Sequence, residues 1–421
     1  MVLSPSIVIL LSFVVYQYFT RRQYISEDEF QGYIIHDSIN ITSSKNESHI
    51  INDVVYDYEY GWDFQRSNQE NMIKIDELID NISPEQINQK FIIHKYINET
   101  NLYHREKATF LILCRNSDLI DILETIQNVE DRFNKNFHYD YTFLNDEKFT
   151  NEFIYLISSF IPFGTINFGS IPAEHWEIPQ FIDLDRFDLA LNQDMRDIVY
   201  GDSISYRKMC RFFSGFFYKH ELVKPYQYYW RIEPGIKLYC DINYDVFEFM
   251  HSNHKKYGFT LTMFEYENTI PSLWSDFQQF ITMYDDDENQ YNSNELMKLI
   301  QNQSSNTYNL CHFWTNFEIG DFSLFTSDAY EKLFTFFDYK GGFFYERWGD
   351  APIHSLAIAI SLKKSDLHWF GDIGYYHKPY LQCPKSSLMF INNKCSCNQD
   401  DDFSFTDLSC TNHFLNVING L

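Results

Sequence analysis

The chain of 421 residues is poor in basic side chains: 33 Lys and Arg stand against 59 Asp and Glu, a formal net charge of −26. A surface with that balance repels a phosphate backbone, which excludes nucleic acid as a general partner. An anionic substrate must instead be met locally, by one basic group, a helix N-terminus or a metal ion. Glycine is also sparse, at 15 residues, and neither GxGxxG nor a Walker A sequence follows the first predicted strand. A nucleotide bound there would be held without a Gly-rich phosphate cradle. No internal repeat is present.

Cysteine is limited to eight residues, four of them (Cys383, Cys395, Cys397, Cys410) in the C-terminal tail. No His lies beside them at metal-ligand spacing and there is no second CxxC, which disfavours zinc and favours disulfides in an oxidising compartment. Sequons at Asn40, Asn46, Asn81, Asn98 and Asn302, the third spoiled by Pro84, are compatible with a secretory route. A single membrane-like apolar run, Ile7 to Phe19 (IVILLSFVVYQYF), falls short of the roughly 20 residues of a full span. It carries no charge and no small-residue cleavage site follows, so it reads as an uncleaved signal anchor. Arg21 and Arg22 follow the run and no Lys or Arg precedes it, so the positive-inside rule alone would put the N-terminus outside.

What is abundant is apolar and aromatic: 44% of residues are hydrophobic and 19% aromatic, with 40 Phe and 31 Tyr, a composition that folds. Gln23 to about Pro84 mixes Asn, Asp, Glu, Ser and Ile without sustained period and reads as a membrane-proximal stem. Ala108 to Arg115 (ATFLILCR) is then a continuous apolar run of strand length. Leu119, Ile122, Leu123, Ile126 and Val129 follow at helical spacing, and Tyr139 to Asp146 forms a second strand. Strand, helix, strand with short connections opens a parallel α/β sheet, in which ligands sit at the carboxyl ends of strands. Further on, Ser205 to Val223 is expected as a helix, Tyr226 to Pro234 and Gly258 to Tyr266 as strands, and Tyr308 to Gly320 as a strand running into a loop. A helix capped by Ser327 or Asp328 comes next, then a buried helix opened by Pro352.

Four polar groups stand where an apolar pattern stops. Glu233 ends the YYWRI strand, Glu318 ends the aromatic run HFWTNF, Asp350 sits in ERWGDAP before the buried helix, and His377 lies in the expected loop GDIGYYHKP. Each alone reads as a cap or a solvated loop end. If they converge, a carboxylate and an imidazole would suit Mn²⁺, which also binds phosphate oxygens. A further carboxylate could then act on a sugar carbon as nucleophile or ion stabiliser. Trp230, Trp314 and Trp348 adjoin these groups and are suited to core packing or to stacking on a sugar or base.

At these positions the chain resembles the fungal Golgi α-1,2-mannosyltransferases of O-linked and N-linked mannan synthesis. The similarity is carried by YRKMCRFFSGFFYKH, YYWRIEPGIKLYCDINYDVF, LCHFWTNFEIGD, GGFFYERWGDAPIHS, GDIGYYH and the tail pattern CP…KCSCN…SC, and spans roughly Ala108 to Cys410. The resemblance implies a type II Golgi membrane protein: a cytoplasmic tip and anchor over residues 1–20, a luminal stem over 21–85 and a catalytic domain over 86–421. It implies an α/β, Rossmann-like single-domain glycosyltransferase fold of the GT-A type, GDP-mannose as donor, a mannosylated glycoprotein acceptor, Mn²⁺ as cofactor and retention at the anomeric carbon. Residue by residue, it implies Glu233 and His377 as metal ligands, Glu318 as nucleophile or oxocarbenium stabiliser, Asp350 as a substrate-binding catalytic carboxylate, Tyr206 beside the acceptor and Arg115 at the nucleotide. Gly235 follows Glu-Pro, so the second acid of a DxD site is missing and a metal must lean on His377 and phosphate. Mannosylphosphate transfer, which releases GMP instead of GDP, and a catalytically silent complex partner are the alternatives.

Overall fold

The computed structural model describes residues 105–419, apart from 285–290, 292–293 and 303. The anchor, the stem and the sequons at Asn40, Asn46, Asn81 and Asn98 lie outside the described residues. Among the described residues no helix is long and apolar enough to cross a membrane.

A seven-stranded sheet forms the frame: its strands β1 (Ala108–Leu113), β2 (Asp140–Asn145), β3 (Ile166–Ser170), β4 (Tyr228–Ile232), β6 (Tyr257–Phe259), β9 (Glu318–Asp321) and β10 (Leu367–Trp369) lie side by side in the order β10-β6-β9-β4-β1-β2-β3. Next to its central strand β4 lies β1, parallel both to β4 and to β2. The expected unbroken apolar runs explain this placement, because a parallel central strand is covered on both faces and has no solvated side to supply alternation. Helix α1 (Leu119–Val129) makes the crossover from β1 to β2 and buries Ile122, Ile126 and Val129. Phe110 stacks on Tyr141 at 4.7 Å and lies 5.5 Å from Trp230, so three adjacent strands are joined by ring contacts on one face. Beyond β2, α2 (Asn151–Phe160) leads to β3 (Ile166–Ser170), parallel to β2.

The sheet is mixed rather than purely parallel. The segment from Gly258 to Tyr266, expected as one strand, divides into β6 (Tyr257–Phe259) in the main sheet and β7 (Thr262–Phe264), which pairs with β8 (Cys311–Phe313) in a separate ribbon. The segment expected to trail into a loop after β8 instead forms β9 (Glu318–Asp321), antiparallel to both β4 and β6. Its register pairs Trp230 with Ile319 and Phe259 with Glu318. Because β9 runs backwards, its first residue is delivered to the carboxyl ends of the neighbouring strands. The sheet ends with β10 (Leu367–Trp369), parallel to β6.

Three helices cover the face opposite α1. Helix α3 (Ile204–Gly215) is capped by Ser203, whose hydroxyl accepts from the Tyr206 amide. It stops well before the expected end at Val223, at Gly215, where an added Cβ would lie 2.0 Å from the Phe334 ring. Phe334 belongs to α4 (Asp328–Lys340), capped by Ser327. Helix α5 (Asp350–Ser361) is almost wholly buried and begins at Asp350, two residues ahead of its expected opening at Pro352.

A three-stranded sheet of β5 (Lys237–Leu238), β11 (Tyr375–His377) and β12 (Tyr380–Gln382) closes the carboxyl end, and His377, expected in a loop, is the last residue of β11. Disulfides Cys240–Cys395, Cys383–Cys397 and Cys311–Cys410 tie the tail to the segment just after β5, to itself and to β8, so each tail cysteine is paired. They close loops of 155, 14 and 99 residues, and constraint of the unfolded chain by such loops is worth about 3–5 kcal/mol each in the chain-entropy model. Cys114 and Cys210 remain as buried thiols. Denatured, unreduced protein should therefore bind alkylating reagent at Cys114 and Cys210 only, and modification of Cys383, Cys395, Cys397 or Cys410 in intact-mass analysis would contradict this pairing.

Candidate active site

The polar cluster at the carboxyl end of the sheet is organised by a residue that the sequence pattern hides. Arg231 lies in the wholly buried strand β4 with 2% exposure. Its Nη1 donates to Asp350 Oδ2 at 2.5 Å and its Nη2 to Glu233 Oε1 at 2.6 Å. A third carboxylate oxygen, Glu318 Oε1, stands 4.0 Å from Nη1, beyond hydrogen-bonding distance. The guanidinium plane is seated 3.6 Å over the Phe213 ring of α3, and Nη2 also faces Met209 Sδ at 3.7 Å. Burying this cation without partners would be prohibitive, so its carboxylates are as much a condition of folding as a chemical device.

Each carboxylate reaches Arg231 by a different route. Glu233 follows β4 directly. Glu318 is carried there by the reversed direction of β9, and Asp350 by the first turn of α5, where Thr315 Oγ1 also donates to Oδ2 at 2.7 Å. Burial alone would raise the Glu233 and Asp350 carboxyl pKa values. The Arg231 charge, with hydrogen bonds from His377 and Thr315, outweighs it, holding Glu233 at about 2 and Asp350 below its ordinary value. His377 Nε2 lies 3.2 Å from Glu233 Oε2, and although burial pushes its pKa down, the Glu233 hydrogen bond and charge raise it overall.

Glu318 is fully buried at 0% exposure. Its Oε2 accepts from Tyr257 Oη at 2.9 Å and from His354 Nδ1 at 3.0 Å, while Oε1 has no hydrogen-bond partner. The structure thus gathers Glu233, Glu318, Asp350 and His377 into one contiguous network. Tyr206 stands on the first turn of α3, the helix that also supplies Met209 and Phe213. Its hydroxyl accepts from Arg347 Nη1 at 3.1 Å and its ring stacks on Tyr200 at 4.7 Å. Arg115 lies exposed beyond the carboxyl end of β1 and is in none of the cluster's hydrogen bonds. Trp314 packs 5.2 Å from His377, whereas Trp230 and Trp348 are buried in the core.

Sequence reasoning missed Arg231, His354, Thr315 and Tyr257. A signal existed for the first two: Arg231 is the one charge in an otherwise apolar strand, and His354 interrupts the apolar helix APIHSLAIAI.

The Glu233–His377 pair fits a divalent ion. His377 Nδ1 faces the Lys378 carbonyl at 3.2 Å, an acceptor that keeps a proton on Nδ1, while Nε2 donates to Glu233; a divalent ion would replace that Nε2 proton between the two side chains. Among the described residues no group of three or more His, Cys, Asp or Glu side chains is gathered for a metal. The pair would need phosphate oxygens or water to complete a coordination shell.

Residues 62–419 match the glycolipid 2-alpha-mannosyltransferase family. The chain is 59% identical over 314 residues to the probable mannosyltransferase MNT3 of Candida albicans, covering 75% of this chain and 81% of that protein. It is 49% identical to the alpha-1,2 mannosyltransferase KTR1 of Saccharomyces cerevisiae over 74% of this chain and 79% of that one. Among solved structures it is similar to core-mannan synthase A (CmsA/Ktr4) of Aspergillus fumigatus in its Mn/GDP form, with TM-score 0.69 and 35% identity over 76% of this chain and 87% of that one. It is also similar to the mannosyltransferase Ktr4p of S. cerevisiae in complex with GDP, with TM-score 0.64 and 37% identity over 86% and 90%. The mixed α/β sheet is of the GT-A-like kind that these structures share.

The cluster predicts a particular dependence of stability on pH. With Arg231 present, Glu233 and Asp350 have depressed pKa values, so their contribution is complete above about pH 4 and is lost as pH falls toward the folded-state value. In Arg231→Met the same carboxylates are buried without the cation, and folding then takes up protons. The substitution should cost about 3–5 kcal/mol at neutral pH and distinctly less near pH 5, as read from urea unfolding. An equal cost at both pH values would contradict the assignment.

Proposed function

Because the chain belongs to the glycolipid 2-alpha-mannosyltransferase family, and is therefore a glycosyltransferase, we propose the following activity. It transfers mannose from GDP-mannose to an α-mannoside acceptor on O- or N-linked glycans, forming an α-1,2 linkage with retention in a Mn²⁺-dependent reaction. Support for the linkage comes from the alpha-1,2 mannosyltransferase relative, and support for donor and metal from the Mn/GDP and GDP forms of the related structures. The observation that carries the chemistry is the buried, unpartnered Oε1 of Glu318 beside Arg231 at the carboxyl end of the sheet.

An unpaired carboxylate oxygen in a protein interior is costly, and it is useful where positive charge develops in the transition state. Glu318 supplies such an oxygen to the anomeric carbon, and its field is strong because water is excluded. A covalent mannosyl-enzyme and a front-face displacement in which Glu318 stabilises the oxocarbenium ion both place Oε1 against that carbon, and trapping a mannosylated Glu318 with a slow donor analogue separates them. Asp350, fixed by Arg231 and Thr315, binds the sugar, and Tyr206, held by Arg347, borders the acceptor. Glu233 and His377 hold the divalent ion, which when bound neutralises diphosphate charge that a protein of net charge −26 could not. Arg115 lies at the same edge of the sheet and contacts the nucleotide. Anchoring by residues 1–20, a luminal stem over 21–85, a catalytic domain from 86 and residence in the Golgi membrane belong to the same proposal, and the disulfides support an oxidising compartment.

Full-length protein incubated with GDP-mannose, Mn²⁺ and methyl α-mannoside should yield an α-1,2 dimannoside and GDP. A β-linked product would contradict retention, and GMP with a mannosylphosphate product would establish the other transfer reaction. In the same assay Glu318→Gln should lower kcat by about 10²-fold or more with near-normal GDP-mannose affinity. Glu233→Gln and His377→Ala should abolish Mn²⁺-dependent GDP binding, and unchanged Mn²⁺ affinity in both would remove them from the metal site.

A further inference from the structure

His354 lies on α5, fully buried, and has two polar contacts of opposite origin. Nδ1 is 3.0 Å from Glu318 Oε2, and Nε2 is 2.9 Å from the Phe213 carbonyl on α3. Its ring neighbours are aromatic, with Phe325 at 5.1 Å and Phe217 and Tyr330 at 6.1 Å, the Tyr330 hydroxyl being committed to the Ser214 carbonyl; the Asp350 carboxylate acts on it from the start of the same helix, and the buried Tyr229 hydroxyl stands near Glu318. A peptide carbonyl only accepts, so Nε2 carries hydrogen. An ionised carboxylate also only accepts, so a bond from Nδ1 to Glu318 requires hydrogen there too. Both ring nitrogens are then donors and the ring is an imidazolium.

The two oxygens of Glu318 are therefore inequivalent. Oε2 is occupied by the Tyr257 hydroxyl and His354, whereas Oε1 has no hydrogen-bond partner. We infer that His354 is a positioning residue that, braced by the α3 backbone, donates to Oε2 and presents Oε1 as the working oxygen of Glu318. This rests on the proposal that Glu318 acts on the anomeric carbon. Burial alone would lower the imidazole pKa, but the Glu318 charge and hydrogen bond, with the Asp350 charge, raise it. The one other full cation in the network, Arg231, is engaged with Asp350 and Glu233 and does not replace the donor at Oε2.

The shape of histidine allows the two bonds to be separated. An Asn amide nitrogen can occupy the place of Nδ1 and keep the donor to Glu318, while a Gln amide nitrogen can occupy the place of Nε2 and keep the donor to Phe213. In the full-length protein, His354→Gln should lower kcat by about 10²-fold with the GDP-mannose KM changed by no more than about threefold. His354→Asn should recover most of that loss although its melting temperature falls at least as far as that of the Gln variant. Equal turnover in the two variants, or turnover that follows their melting temperatures, overturns the assignment.

A second measurement does not depend on turnover. The ¹⁵N side-chain spectrum of wild-type protein at pH 7.5 should show His354 protonated at both nitrogens, and Glu318→Gln should return it to a singly protonated ring. An unprotonated nitrogen in the wild type overturns the inference. If wild-type protein transfers no mannose, the proposed function fails, while the spectrum still decides the His354–Glu318 arrangement.

Discussion

A guanidinium with 2% exposure retains its charge inside a protein only if anions meet it at close range, and Arg231 imposes that requirement on the whole carboxyl end of the sheet. Its two terminal nitrogens bond Asp350 and Glu233, and its plane lies on Phe213, so a strand residue, a helix-opening residue and a packing helix are fixed relative to one group. The pieces of the site come from distant parts of the chain, and this shared counter-charge is what makes their assembly cooperative. It also explains how an acidic protein keeps several carboxylates ionised within a few ångströms of one another. The cation that stabilises the fold is the cation that sets the charge of the site.

The reversed strand β9 is the second constraint. Had Glu318–Asp321 joined the sheet parallel to β4, its first residue would lie at the amino end, away from the Glu233 turn. Running antiparallel, with Ile319 opposite Trp230, it places Glu318 beside Arg231. Glu318 then meets α5 through His354, and α5 returns Asp350 to the same guanidinium. Sheet topology, helix start and buried charge thus converge on one carboxylate, while the disulfide-tied sheet of β5, β11 and β12 brings His377 to Glu233 from the other side.

Much of this was legible in the sequence, and the remainder has physical reasons. The strands β1 and β2 and the helix α1 are carried by local pattern: continuous apolar runs, and Ile122, Ile126 and Val129 at helical spacing. The segment EIGD has two acids and a glycine, so nothing local marks it as a strand; its pairing with β4 and β6 forms it. His377 resembles a loop residue for the same reason, because β11 exists through pairing with β5 and β12. The endings of apolar runs pointed to Glu233, Glu318 and Asp350, since site groups are built at the carboxyl edge of such sheets. Arg231 and His354 escaped notice because a lone polar residue inside an apolar element acquires meaning only when its partner, remote in sequence, is known.

In the proposed reaction Glu318 Oε1 faces the carbon that loses its nucleotide, with Arg231 holding the surrounding carboxylates and Glu233 and His377 at the metal. The most direct measurement is a crystal structure of the protein with Mn²⁺ and a non-transferable GDP-mannose analogue. The anomeric carbon should lie about 3–3.5 Å from Oε1, with Oε2 still bonded to Tyr257 and His354 and the ion held by Glu233 and His377 at the diphosphate. A sugar bound with its anomeric carbon turned away from Glu318, or an ion held by neither Glu233 nor His377, would contradict it.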